Sequence, residues 1–192
     1  MLTTDRLVLR PWLGRDRAPF AQLNGDPRVI NPPMLPTETD HLVDHFNRLW
    51  RTDGFAFAAA ERRNDGLFVG MIGLQRFSID QTVPACVEIG WRLPYALWGQ
   101  GYATEAASAW LDFGFDLLDL PEIVAFTDAG NSRSQAVLRR LTMLREPARD
   151  FIHPEFADEP PLWFYALQRD AWIGRRAHVQ PANPADAFAQ TA

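Results

Sequence analysis

With 192 residues, 47% of them apolar and 22% charged, the chain suits one domain whose core needs no covalent staple, and a single cysteine, Cys86, excludes an intramolecular disulfide. A net charge of −5 without any lysine-rich or arginine-rich block argues against nucleic-acid binding and is compatible with a cationic partner such as an amine. No apolar run approaches the roughly 20 residues that span a membrane, and residues 1–10 already alternate like a strand, so a cytoplasmic protein is expected.

The predicted elements follow in chain order. Residues 7–10 form a short strand that stops at Pro11, and residues 16–24 form a first helix closed by Gly25-Asp26-Pro27. The proline-rich stretch 31–36 is a loop, with Thr37 the expected N-cap of a second helix. There Leu42, Phe46, Leu49 and Trp50 recur at helical spacing up to Arg51, before Gly54. Residues 55–61 and 67–77 read as strands joined around Asn64-Asp65-Gly66, a hairpin turn signal, and residues 85–93 as the next strand.

Residues 103–118 read as a central helix with Ala107, Trp110, Leu111, Gly114 and Leu117 on one face. A strand over 122–127 follows, then a helix capped by Asn131 or Ser132 and reaching Met143. Two more strands are expected near 148–152 and 162–167, with an acidic, proline-containing loop between them. From Arg175 the chain is rich in Ala, Pro and Gln, so residues 1–174 are expected to fold and 175–192 to form a flexible tail. Seven strands and four helices in this order predict a mixed α/β (α+β) domain without the repeated βαβ units of a Rossmann fold.

The strongest local signal lies where the strand ending at Leu93 leads through Trp98-Gly99-Gln100-Gly101-Tyr102-Ala103-Thr104-Glu105-Ala106 into the central helix. The first N–H groups of a helix have no internal partner and sit at the positive end of its dipole, so a glycine loop there suits a phosphate. The loop lacks the third glycine and the later acidic residue of a dinucleotide site, and the Gly-Lys-Ser/Thr of a P-loop. The remaining choices are a pyrophosphate held by backbone N–H groups or an ordinary βα turn. Along the preceding strand Glu88, Gly90 and Arg92 share one face, and Val87, Ile89 and Trp91 the other.

Glu88-Ile89-Gly90-Trp91 followed by Trp98 to Ala106 closely resembles the GNAT superfamily of N-acetyltransferases, and most of all its ribosomal-protein alanine N-acetyltransferase branch. Thr4 to Pro11 resembles that branch's opening strand, Phe68 to Leu74 its third strand, and Asn131-Ser132-Arg133-Ser134 with Val137 to Leu141 its cofactor helix. Phe164 to Leu167 and Trp172 resemble its last strand. Three positions depart from the pattern: Trp98 where Gln or Arg is frequent, Thr142 where glycine is usual, and no tyrosine between Asn131 and Met143.

The resemblance implies a single GNAT-like domain with a mostly antiparallel sheet, acetyl-coenzyme A as co-substrate, no metal, and a primary amine as acceptor, either a protein N-terminus or a small amine. It implies cofactor contacts from Trp91, Arg92, Leu93, Trp98, Gly99, Gln100, Gly101, Tyr102, Ala103, Thr104 and Asn131. Amides of Gly99 to Ala103 would hold the pyrophosphate, and backbone N–H groups near Trp91 to Leu93 would polarise the thioester carbonyl. Glu88 is the candidate base, with a structural pairing to an arginine as the alternative. Ser134 is the candidate acid toward the leaving thiolate, with a bond to the local backbone as the alternative, and Asn131 reads as a helix cap that also touches cofactor.

Cys86 is expected to pack as a small hydrophobe and His153 to be a loop residue, and the four scattered histidines show no metal-ligand spacing. A monomer or homodimer is expected. The missing tyrosine keeps a second reading open, a catalytically weak acyl-coenzyme A-binding sensor or regulatory module.

Overall fold

A computed structural model describes residues 1–79, 83–154 and 157–179. Eight strands make one sheet: β1 (Leu2–Thr3), β2 (Leu7–Arg10), β3 (Phe57–Arg62), β4 (Phe68–Ile79), β5 (Val83–Arg92), β6 (Glu122–Thr127), β7 (Leu144–Arg145) and β8 (Trp163–Gln168). They lie side by side in the order β1-β2-β3-β4-β5-β6-β8-β7. Every neighbouring pair is antiparallel except β5 and β6, which are parallel and meet through a single register pair, Glu88 opposite Val124. The helices are α1 (Arg17–Asn24), α2 (Pro36–Thr52), α3 (Tyr102–Asp112), α4 (Ser132–Arg140) and α5 (Arg169–Val179).

The central strands are covered on both faces, which is why Phe57-Ala58-Ala59-Ala60 and Val69 to Leu74 read as continuous apolar runs. On one face Ile72, Leu74, Val87, Ile89 and Ile123 pack against Ala106, Ala107, Trp110 and Leu111 of α3. On the other, Phe57, Ala59 and Met71 meet Phe20 of α1 and Val43 and Phe46 of α2. A third cluster, built around Val83, Val124, Phe151 and Phe164, covers that face farther along the sheet.

Several expected boundaries move, each for a local reason. The second helix begins at Pro36 rather than after Thr37, because proline fits the first helical position and Glu38 accepts a hydrogen bond from the Leu35 N–H at 2.6 Å. The central helix changes to a π turn over Phe113–Leu117, with Leu118 N–H donating to Phe113 O at 3.2 Å. The change of phase leaves Leu117 72% exposed and turns Leu118 toward the core. Helix α4 ends at Arg140, before Met143.

The strand expected near 148–152 is a 3-10 turn, Pro147–Arg149, followed by one bridge from Phe151 to Leu162. The chain there is held by side chains: Asp150 accepts from the Phe164 N–H at 2.9 Å, and Arg149 donates to both oxygens of Glu122. The edge strand is β7 instead. Trp172 lies on α5 rather than in the last strand, and its indole N–H donates to Asp112 at 2.8 Å. Helix α5 continues to Val179, past the expected boundary at 174, while the tail beyond it falls outside the described residues.

Candidate active site

Beyond Glu88 the strands β5 and β6 are no longer paired, so the backbone edge from Ile89 to Arg92 is released toward the gap. This gap opens on a cavity of about 180 Å³ whose walls include Phe57, Met71, Glu88, Trp91, Arg92 and Ser134. The strand alternation gives the site its two sides. Val87 and Ile89 are buried in the α3-side core with Trp91 against them, and Glu88 and Arg92 take the opposite face.

Glu88 has no hydrogen bond or ion pair among the described residues, so the arginine pairing left open by the sequence is absent there. Burial raises its carboxyl to about 7, because the charged form is poorly solvated. Gln75 stands opposite Glu88 in the β4–β5 ladder, and its Oε1 is buried without a hydrogen-bond partner. Across the gap, Ser134 is half-buried in the first turn of α4. Its backbone N–H donates to Asn131 Oδ1 at 3.0 Å, while its hydroxyl makes no hydrogen bond among the described residues. Asn131 is thus the cap of α4, and the Ser134 hydroxyl is not committed to the backbone.

The glycine loop follows β5. The Trp98 indole N–H donates to Leu93 O at 2.8 Å, and the Gln100 amide donates to Ala96 O at 2.9 Å. Gly99 and Gly101 have φ of 76° and 83°, the left-handed region that side chains avoid. Gly101 is the N-cap of α3, and no side chain caps the helix. The N–H groups of Tyr102, Ala103 and Thr104 therefore lack an acceptor within the helix. The Tyr102 ring is buried in the core, so only its backbone is available to a ligand.

An arginine that sequence reasoning passed over holds this loop. Arg6 donates through Nε to Glu105 Oε2 at 2.6 Å, through its backbone N–H to Glu105 Oε1 at 2.9 Å, and through Nη1 to Gln100 O at 3.0 Å. Its guanidinium lies 4.4 Å from the centre of the Tyr102 ring. Burial pushes the Glu105 carboxyl up, but the hydrogen bonds from Thr4 and Arg6 outweigh it and hold Glu105 below the ordinary range. Arg133, at the start of α4, lies 4.8 Å over the Trp98 ring and ties the loop to the far wall. The signal in the sequence was the Thr-Asp-Arg preceding β2, but its partners lie about a hundred residues away.

The remaining candidates take quieter places. Arg92 donates to Asn24 Oδ1 at 2.6 Å, and burial lowers its pKa. Leu93 is buried in the core. Cys86 is half-buried, with its thiol against Phe77 O at 3.5 Å. Burial, and then the charge of Glu88, raise that thiol to about 11, which leaves a packing residue rather than a nucleophile. The His153 ring lies 6.4 Å from that of Phe77, outside the cavity. No group of three or more metal-ligating side chains occurs among the described residues. A larger hollow of about 390 Å³ lies between α5 and β7–β8. The charged residues on its walls are Glu146, paired with Arg149, and Arg175, stacked on Trp172.

An uncapped helix start, two left-handed glycines before it and a split in the sheet beside it fit a ligand with a pyrophosphate and an extended arm. The chain matches the family model described as an acetyltransferase (GNAT) domain over residues 6–143. It is similar to the protein YkkB of Bacillus subtilis (strain 168), with 35% identity over 147 residues, covering 74% of this chain and 84% of YkkB. It is also similar to the N-acetyltransferase YnaD of that organism, with 26% identity over 173 residues, covering 89% of this chain and 98% of YnaD. The crystal structure of an acetyltransferase from Agrobacterium tumefaciens str. C58 superposes with a TM-score of 0.73 at 27% identity, covering 87% of this chain and 93% of that one. With a family model spanning most of the chain and a fold that matches it, this protein belongs to the GNAT acetyltransferase family and is an acetyl-coenzyme A-dependent N-acetyltransferase.

Proposed function

We propose that the chain acetylates a primary amine by direct attack in a ternary complex, with Glu88 as base and Ser134 as acid, and that the acceptor is an α-amine of the kind the ribosomal-protein alanine branch uses. The observation that carries this reading is the cavity at the β5–β6 split, whose walls hold both an unpaired carboxyl and an uncommitted hydroxyl. Acetyl-coenzyme A supplies the thioester. The amides of Gly99 to Thr104 hold its pyrophosphate, with Trp98 and Gln100 shaping the loop, and the released edge of Trp91 to Leu93 offers N–H groups to the carbonyl oxygen.

The amine nitrogen bonds to the carbonyl carbon, the carbon–sulfur bond breaks, Glu88 takes the proton from the amine and later yields it to solvent, and Ser134 relays a proton from solvent to the departing sulfur, so that its hydroxyl is restored. A base that ionises near pH 7 suits an α-amine, which has a pKa of about 7.7–8.0, far better than a lysine side chain near 10.4.

Ser134→Ala tests the acid. A coenzyme thiolate is a modest base and can take a proton from water, so turnover is expected to fall roughly tenfold to a hundredfold, at the low end of general-acid effects. Thiol release measured beside calorimetric binding of acetyl-coenzyme A separates the roles. A loss confined to the dissociation constant would make Ser134 a binding residue, and tight binding with no turnover of any amine by the unaltered protein would favour a sensor.

A further inference from the structure

Arg92 ends β5 on the same face as Glu88 and lines the same cavity. Its side chain runs away from the glycine loop, toward α1 and the proline-rich segment before α2. There Nη1 donates to Asn24 Oδ1 at 2.6 Å and lies 3.7 Å from Met34 Sδ. Both partners are neutral. Every other buried or half-buried arginine among the described residues has a carboxylate: Arg10 has Asp16 and Glu61, Arg17 has Asp40, Arg62 has Asp65, Arg145 has Asp150, and so on to Arg149 and Arg169. Arg92 alone is half-buried without one.

A guanidinium withdrawn from water is costly unless an anion and hydrogen-bond acceptors replace the lost solvent. Asn24 satisfies one donor of Arg92, and its Nε and Nη2 have no protein acceptor yet are not sealed from the cavity. The pyrophosphate is an unsuitable counter-ion, because the loop that would cradle it leads into α3, on the opposite face of the sheet from α1.

We propose that Arg92 binds a carboxylate on the acceptor, so that the substrate class is an amine that itself carries a carboxylate: a free amino acid, or a peptide with an acidic group near its N-terminus. The proposal rests on the reading of this cavity as the acceptor site. Glu88 and Arg92 are four positions apart on one strand, about 13 Å between Cα atoms. Both line the same cavity, so an acceptor held there faces the carboxyl on one side and the guanidinium fork on the other.

The experiment uses the full chain, acetyl-coenzyme A and matched acceptors: free amino acids against their amides, and dipeptides with Asp or Glu at the second position against Asn or Gln. Thiol release is expected to give kcat/KM roughly tenfold to a hundredfold higher for the carboxylate partner of the preferred pair, mainly through KM, in keeping with a charge-assisted hydrogen bond. Arg92→Met should erase that preference, and Arg92→Lys, which keeps the charge but loses the fork, should keep part of it. Acetyl-coenzyme A binding reports that each variant is folded.

Preference confined to the free amino acids or to the acidic dipeptides identifies the source of the carboxylate. Equal kcat/KM within all pairs, or a preference that survives in Arg92→Met, overturns the assignment even if acetylation proceeds. NMR titration of the same compounds gives a readout without turnover. Arg92-dependent binding of carboxylates by a protein that acetylates none of them would refute the reading of this cavity as the acceptor site and leave the anion site standing.

Discussion

A carboxyl raised to about 7 on the wall of the cavity makes Glu88 the source of a pH dependence near neutrality. If Glu88 is the base, kcat/KM should climb as pH rises through about 7, and Glu88→Gln should lose that limb and roughly a hundredfold or more in turnover at neutral pH. The deficit should narrow at high pH, where the amine deprotonates unaided. Stability moves the other way. The native state holds the Glu88 proton more tightly than the unfolded chain, whose carboxyl ionises near 4.5, so stability falls as pH rises between about 4.5 and 7. Urea melts of both proteins across that window would detect the slope, and a Glu88→Gln profile identical to the parent in both activity and stability would return Glu88 to a packing role.

Glu88 was legible because strand alternation and a family motif agree on its side of β5. Arg6 was not, since Glu105 and Gln100 lie 99 and 94 positions away, and no local pattern announces a pairing of that range.

At the scale of elements, the loop before α3 and the turn after α4 use the same left-handed backbone with opposite residue choices. Gly101 has φ of 83°, and a Cβ there would sit 3.3 Å from an Arg6 nitrogen. Gly101→Val is expected to cost about 1–2 kcal/mol of stability from the backbone alone while weakening acetyl-coenzyme A binding more than tenfold, because it disturbs both the cradle and the arginine holding it. Calorimetry beside thermal melting decides this. A folded variant with parental affinity would remove the loop from the cofactor site.

Thr142 occupies a φ of 60°, unusual for a β-branched residue, at the turn where Met143 N–H closes back on Leu138 O at 3.0 Å. Thr142→Gly should therefore stabilise the protein by about 1 kcal/mol, a rise of roughly 2–4 °C in Tm for a chain of this size. The missing glycine was visible in the sequence as a departure, and the backbone angle gives it a physical meaning. The two-residue strands β1 and β7 were invisible for the opposite reason, being too short to display any period.

For the whole molecule, the order from β2 through α4 to β8 was readable, while α5, the turn in place of the strand expected near 148–152 and the seams between packed units were not. Three apolar clusters divide the core, and the cavity at the β5–β6 split is lined by residues from all three, among them Phe57, Ala125 and Phe126. Acetyl-coenzyme A on the glycine loop binds the native state and not the unfolded chain. Acetyl-coenzyme A at about 100 times its dissociation constant should add about 2.7 kcal/mol, or roughly 5–10 °C in a thermal scan. A midpoint that ignores saturating acetyl-coenzyme A would mean that the folded chain does not bind it.

Gly114, in the π turn after α3, fixes how the end of that helix meets the sheet. A Cβ added there would come within 2.6 Å of Ile123 Cδ1 and 3.0 Å of Leu74 Cδ1. Leu74 belongs to β4 and Ile123 to β6, so this glycine lies over the sheet where β5 still pairs with β6. The absence of a single methyl group thus lets the π turn at the end of α3 press onto the sheet more closely than any other residue would allow.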